Sequence, residues 1–562
     1  MHEIVTLQFG QQSNYLGTHF WNTQESYFTY DDPEKTADAA AAEPSPVDHD
    51  IHFRPGIGAD GSDTFMPRAV IYDLKGAFGS LRKINALYEA EDDGDAALWP
   101  GSTITHRATA IPPSAYQQAL DTGLQPPALT TDTVRYWSDY SRVYYHPKSL
   151  VQLHEYELQS QLMPFEGWGV GDELFAGLDK EHDLLDRDLR PFIEECDQLQ
   201  GLQVMTSVDD AWGGFASRYV ERLRDEFGKL SIWVWGLEEE EKKARDKLLH
   251  QLTNHSLTLH ALSSTASTYI PLSALPKSSL PPYLRNSHIN PASRWHTAAL
   301  QSILLETATL PSRLRDRARA APLAQMEAVV NAGSGNRRVV EARMSVGEAA
   351  VLREALDERV RAREAEEQAG GGGKAGRRRR SYGYEEDGQE EDEGEWDVDL
   401  ARLGPEEQMV QMAKRGRGRG GGGGVKGLGK KAHLFGRAEA LRGAWREEGE
   451  VEALNQRARD RFAGAEMVQR YTTPLLFPVL DSYPHIFSFE NRDKGEGLAV
   501  RTALTTSSAI SGRLRAMGQL VGRLIGVDQR EELSNGLKTL ADEYEEGWDS
   551  GLEDSEDDDD DE

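Results

Sequence analysis

Met1-His-Glu-Ile-Val-Thr-Leu-Gln-Phe-Gly-Gln-Gln-Ser-Asn14 opens the chain, and the fold turns on how this stretch is read. Glu3 to Phe9 reads as a strand, and Gly10 as the turn that ends it. Beyond it Tyr15, Leu16, His19, Phe20 and Trp21 recur at mixed three- and four-residue spacings, which predicts a helix. A glycine between strand and helix lets the backbone approach a phosphate. The helix N-terminus supplies free N–H groups and the positive end of a dipole. Without a ligand, the same glycine simply makes a tight turn. Both readings stand on this segment alone.

Working outward, Ala69-Val-Ile-Tyr-Asp-Leu74 predicts a buried strand with Asp73 near its end, followed by a weaker helix through Leu81 and Leu87. A helix over roughly 181–199 would place Leu185, Leu189, Phe192, Ile193 and Cys196 on one face. A strand follows at Gln203 to Val208, then a helix carrying Phe215, Tyr219, Val220, Leu223 and Phe227. Another strand is expected at Ser231-Ile-Trp-Val-Trp235. Helix, strand, helix, strand with short turns is the pattern of an α/β domain, a parallel sheet covered by helices.

The remainder is less regular. Residues 31–63 and 91–132 read as loops. Residues 345–368 read as a helix opened by a capping box of Ser345 and Glu348. Residues 369–432 hold a glycine run, Arg377 to Arg380, an acidic block from Glu385 to Glu395, and Arg415-Gly-Arg-Gly-Arg419. Such composition buries too little apolar surface to offset chain entropy and is expected to be disordered. A charged helix from about Ala438 to Phe462 is expected next, then strands near Ile486 and over Leu498 to Leu504. A helix through Leu514, Leu520, Val521, Leu524 and Ile525 precedes a nearly all-acidic tail from Glu553.

With 562 residues the chain exceeds the size of one hydrophobic core, so at least two domains are expected. A hydrophobic fraction of 38% against 28% charged residues fits packed domains diluted by polar sequence. The net charge of -31 argues against nucleic-acid or anionic-membrane binding over the whole surface, and no direct DNA binding is expected. The single cysteine, Cys196, rules out an intramolecular disulfide and four-cysteine zinc sites, and a packed thiol in a reducing compartment is expected. The N-terminus reads as a strand and not as a signal or presequence. No apolar run is long enough to span a bilayer, so membrane association is expected to be peripheral.

The opening is similar to the first strand, phosphate-contacting turn and first helix of tubulin, ungapped from Met1 to Trp21. The family's second glycine in this turn is Ser13 here, and its cysteine is Gln12. Pro67-Arg-Ala-Val-Ile-Tyr-Asp-Leu74 resembles the tubulin strand whose acidic end lies near the nucleotide's metal, with Asp73 as the counterpart. Cys196 to Val208 resembles the strand that runs into the glycine-rich phosphate loop. That loop needs glycines because backbone N–H groups must surround the phosphates. Here it reads Asp209-Asp-Ala-Trp-Gly-Gly-Phe-Ala-Ser217, with two carboxylates where a phosphate would bind and Trp212 adding bulk. The carboxylates are expected to cap the helix themselves and to repel a triphosphate. The ribose loop becomes Glu238-Glu-Glu-Glu-Lys-Lys243, read as a solvated helical charge run. Thr253 to Leu262 still resembles the following helix, whereas Tyr269 to Leu275 replaces the pattern around the guanine-contacting asparagine.

That combination resembles the Misato family more closely than tubulin. The matching stretches include Tyr145-His-Pro-Lys-Ser149, Phe165-Glu-Gly-Trp-Gly169, Leu199-Gln-Gly-Leu-Gln-Val204 and Thr307-Ala-Thr-Leu-Pro311. The resemblance implies a tubulin/FtsZ-like N-terminal α/β domain, a parallel sheet flanked by helices, with a smaller α+β C-terminal part. It divides the chain into a segment II tubulin-like unit at 1–115, its continuation at 130–318 and a helical region at 319–368. The disordered insert at 369–432, a C-terminal region at 433–545 and an acidic tail at 546–562 complete the division. It also implies a role in partitioning mitochondria and inheriting mitochondrial DNA, with cytosolic chaperonin or tubulin as partners. The location implied is the cytosolic face of the mitochondrion and the cytoplasm. With the phosphate loop altered, the expectation is a non-enzymatic protein without a cofactor. The rivals are a GTP-binding GTPase, with Gly10, Gln11, Gln12, Asn14 and Asp73 as the nucleotide site, and a tubulin-folding or spindle-assembly cofactor.

The histidines show no metal-ligand spacing, and His182 and Asp183 read as an exposed helix start. Arg377 to Arg380 and the Arg-Gly stretch read as a nucleic-acid patch or as a polyampholyte loop neutralised by the adjacent acidic block. The tail would recruit basic partners or act as a solubiliser, and Ser555 stands in acidic context suited to phosphorylation.

Overall fold

A computed structural model describes residues 3–29, 45–57, 63–81, 111–239, 245–276, 289–331, 334–347, 396–401, 432–443, 467–487, 497–521 and 527–545. Strand β1 (Glu3–Phe9) runs directly into helix α1 (Gly10–Glu25). A small antiparallel pair follows, β2 (Phe53–Ile57) with β3 (Asp63–Pro67). Next come β4 (Ala69–Lys75), α2 (Ala115–Asp121), β5 (Leu150–Glu157), α3 (Trp168–His182) and the short α4 (Arg190–Glu194). Then β6 (Leu199–Ser207), α5 (Ala211–Glu226), β7 (Ser231–Leu237), α6 (Arg245–Thr265) and β8 (Thr268–Leu272) complete the first sheet. Its order is β5-β4-β1-β6-β7-β8, and every pairing is parallel.

A parallel sheet is covered on both faces, so its inner strands read as continuous apolar runs. Strands β1 and β7 are buried at every residue. Val5, Leu7 and Phe9 of β1 point to the layer that holds Phe215, Tyr219 and Val220 of α5. On the opposite face lies α1, followed by α7 (Arg294–Thr309).

After α8 (Leu323–Val330), the chain builds a second sheet from β9 (Glu341–Gly347), β10 (Val398–Asp399), β11 (Leu434–Arg442), β12 (Met467–Thr473) and β13 (Ala499–Ser507). Its order is β10-β9-β13-β11-β12, with only β11 and β12 parallel. Leu300 and Leu304 of α7 share one core with Met344 of β9 and Leu504 of β13, so α7 is packed between the sheets. Helices α9 (Ala509–Val521) and α10 (Val527–Glu543) fold back on the first domain, where Leu514 and Leu537 join Leu252 and Leu259 of α6.

The expected strands at 3–9, 69–74, 203–208 and 231–235 are all present, as are the helices after Gly10 and Asp210. Several other expectations are corrected. Ser345 does not cap a helix; it lies in β9, where Ala342, Met344 and Val346 alternate into the core, and 348–368 lie outside the described residues. Pairing of β9 with β13 and β10 outweighs a local capping signal. Ala438 begins no helix either: it sits in the middle of β11, flanked by β12 and β13, and 444–466 lie outside the described residues. Within the stretch expected to be a charged helix, Glu439 is paired inside the sheet, with Arg470 at 3.0 Å and Arg501 at 3.2 Å.

Within the stretch expected to be disordered, Trp396 to Ala401 is ordered, and Val398 and Leu400 are buried; the rest of 369–432, apart from the residue leading into β11, lies outside the described residues. The loop over 91–132 contains α2, and that over 31–63 contains β2. The helix over 181–199 is broken: α3 ends at His182, Asp183 takes a left-handed φ of 45°, and Cys196 lies beyond α4. Leu185, Leu189 and Phe192 nevertheless face the core. Ile486 is buried but in no strand, and the helix through Leu87 and the acidic tail fall outside the described residues.

The two sheets are tied by a charge cluster with no solvent exposure. Glu306 of α7 accepts from Arg313 at 2.8 Å and from Arg442 of β11, and the Tyr27 hydroxyl donates to it at 2.9 Å. Burial pushes the Glu306 carboxyl up, but Arg442 and Arg313 outweigh it and hold the group below the usual glutamate range. Removing one member leaves a buried uncompensated charge. Glu306→Ala is therefore expected to destabilise the fold by about 3–5 kcal/mol, read as a lower urea midpoint.

Candidate nucleotide site

The site lies where the C-terminal ends of β1, β4, β6 and β7 meet the N-termini of α1 and α5, the usual ligand crevice of an open parallel sheet. Gly10 takes a φ of 84°, a left-handed conformation that glycine adopts freely. A Cβ there would collide with the indole Nε1 of Trp212. Trp212 stands in the first turn of α5, is 3% exposed, and packs edge-on against Phe165 at 5.1 Å and Phe215 at 5.6 Å. The indole therefore fills the gap between the two turns that would face a phosphate chain. Gly214 serves packing: a Cβ would strike the Trp168 carbonyl of α3.

Of the predicted residues, the structure brings three together. Asp73 Oδ2 accepts from Gln11 Nε2 and from Asn14 Nδ2, each at 2.6 Å, and its Oδ1 accepts from the Leu74 amide at 2.9 Å. Burial raises the Asp73 carboxyl to about 6 despite these donors. Gln12 points elsewhere, donating to Gln301 Oε1 of α7 at 3.3 Å. Of the two carboxylates after β6, both expected to cap α5, Asp210 does so and Asp209 does not. Asp210 accepts from the Trp212 amide at 2.9 Å. Asp209 accepts from Ser207 Oγ at 3.1 Å, the Glu239 amide at 3.1 Å and Gln251 Nε2 at 2.9 Å. Burial first, then the charge of Asp209, holds Asp210 well above the usual carboxylate range.

Glu238 is not part of a solvated run. It is buried and paired with His255 Nδ1 at 2.9 Å, while 240–244 lie outside the described residues. Two contributors escaped the sequence reading. Arg294, at the start of α7, pairs with Glu239 at 2.7 Å and acts electrostatically on Tyr15, Asp73 and Asp210. Phe165 buttresses Trp212. Neither is signalled locally, because each reaches the site from a distant stretch of chain.

The indole occupies the approach to Gly10, and Asp73, Asp209, Asp210 and Glu239 oppose Arg294 as the neighbouring cation. Among the described residues, no group of three or more His, Cys, Asp or Glu side chains is placed to hold a metal ion.

Against known proteins, residues 2–122 match the Misato Segment II tubulin-like domain and residues 126–314 match the Tubulin domain. A relative from Phaeosphaeria nodorum, Protein DML1, is 50% identical over 99% of this chain and 100% of its own length. The chain belongs to the Misato/DML1 family. Protein dml-1 of Neurospora crassa is 45% identical over 99% of this chain and 100% of its own length. Protein dml1 of Schizosaccharomyces pombe is 35% identical over 42% of this chain and 52% of its own length. Among the described residues of this Misato-family chain, no helix is long and apolar enough to cross a membrane.

Two outcomes follow from the packing. Trp212→Ala should cost about 3–5 kcal/mol by opening a cavity, measured by chemical unfolding. The raised carboxyls give a defined pH dependence. Their contribution to stability is fully present below the unfolded carboxylate range near about 4. It is lost as pH rises through the folded value, about 6 for Asp73 and higher for Asp210. Asp210→Asn keeps a capping acceptor and removes the charge, so it should raise Tm by a few degrees at about pH 8 and by clearly less at about pH 5.

Proposed function

We propose that this chain is a non-enzymatic tubulin-fold protein that acts in the partitioning of mitochondria and the inheritance of mitochondrial DNA through contacts with other proteins. The observation that carries the non-enzymatic part is the seat of Trp212 against Gly10, with Asp210 capping the adjoining helix and Asp209 accepting from the Glu239 amide beside it. The mainframe of a nucleotide-binding sheet is kept, and the volume of its ligand is given to a side chain. Membership of the Misato/DML1 family supports the mitochondrial part. Cytosolic chaperonin and tubulin are the proposed partners, and the cytosolic face of the organelle, with the cytoplasm, is the proposed location.

Purified full-length chain mixed with labelled GTP should show no saturable binding in the micromolar range. Micromolar binding that Gly10→Trp abolishes would overturn the non-enzymatic reading and favour the GTPase. In cells, depletion should leave mitochondria unevenly divided between daughters, and the tagged protein on isolated mitochondria should be digested by added protease. Normal mitochondrial distribution together with retained chaperonin pull-down would instead favour a folding cofactor.

A further inference from the structure

Strand β5 is an edge of the first sheet. It pairs with β4 on one side, and its other side has no strand partner among the described residues. The segment that follows is held at both ends. The Leu158 amide donates to the Lys75 carbonyl at 3.0 Å, and Asn254 ties the far end by donating to the Glu166 carbonyl at 2.7 Å and accepting from the Trp168 amide at 3.0 Å. Phe165 is wedged between Tyr156 and Trp212, with ring centroids 4.9 and 5.1 Å away. Between these anchors the loop tip carries Leu162 at 95% exposure and Met163 at 55%. An anchored loop that presents two large apolar side chains beside an open strand edge has the elements of a strand-addition site. The edge supplies main-chain hydrogen bonds and the tip supplies an apolar contact.

The charges around it select the occupant. Glu155 and Glu157 of β5 are exposed and carry no ion pair among the described residues. An anionic membrane would be repelled by these carboxylates, and so would a second copy of a chain whose net charge is -31. We infer that the free edge of β5 and the Leu162–Met163 tip form a docking site for an extended basic segment of another protein, with lysine or arginine alternating with apolar residues. Its cations would face Glu155 and Glu157, and its apolar side chains would reach the loop tip. This inference goes beyond the proposed function and holds whether or not GTP binds.

The test uses the full-length chain and a labelled peptide of roughly twelve residues alternating lysine and valine, with a glutamate–valine peptide and phosphatidylserine vesicles as controls. Binding is followed by anisotropy, and backbone protection by amide hydrogen exchange. The lysine–valine peptide should bind and slow exchange across 151–157, whereas the glutamate–valine peptide should not bind. Leu162→Ser with Met163→Ser, and separately Glu155→Lys with Glu157→Lys, should each weaken binding by about tenfold or more. Binding undiminished in both variants would overturn the inference, as would an exchange footprint elsewhere or none. Vesicle binding lost on Leu162→Ser with Met163→Ser would assign the tip to a membrane and overturn it too. The footprint on the unaltered chain decides the matter even where a variant misfolds.

Discussion

Helix α1 is polar and yet enclosed on all sides, and the architecture is arranged to satisfy it. A buried polar group costs free energy unless a partner is supplied. Gln12 finds Gln301 on α7, Asn22 donates to the Tyr140 carbonyl at 2.9 Å and to Ser482 at 3.2 Å, and His19 Nε2 lies 3.0 Å from the Trp295 carbonyl. Burial lowers His19 to about 3, so the ring is neutral at physiological pH. Those partners come from residues 140, 295, 301 and 482, so the helix is satisfied only when distant parts of the chain have assembled around it.

The two ends of α1 carry the two features that distinguish this molecule. At its start, Gly10 and Trp212 close the crevice at the strand ends. At its end, Gln24 and Tyr27 meet Glu306, which the guanidiniums of Arg313 and Arg442 neutralise. The first contact fills the crevice with a side chain, and the second locks the second sheet onto the first domain.

Strands β1, β4, β6 and β7 were legible because a strand buried on both faces has an apolar run that needs no knowledge of its neighbours. Helix α5 was legible because Asp210 and the apolar spacing after it are local signals. Strands β9 and β11 were not. Ser345 with Glu348 looks like a helix start, and the stretch from Ala438 looks like a charged helix. Both are strands because β13 pairs with each of them from a distant part of the chain, and because Glu439 is neutralised by Arg470 and Arg501. In the site, Asp210 was readable as a cap, whereas the partners of Asp209 and the roles of Arg294 and Phe165 were visible only once the chain had folded.

From sequence alone came the α/β class, the family resemblance, the glycine at position 10 and the altered loop at 209–217, because each rests on neighbouring residues. Only the tertiary structure decided what fills the space above Gly10, which partner each polar residue of α1 takes, and which charged segments become strands. Those outcomes depend on contacts between residues far apart in the chain, whose energies no local window contains.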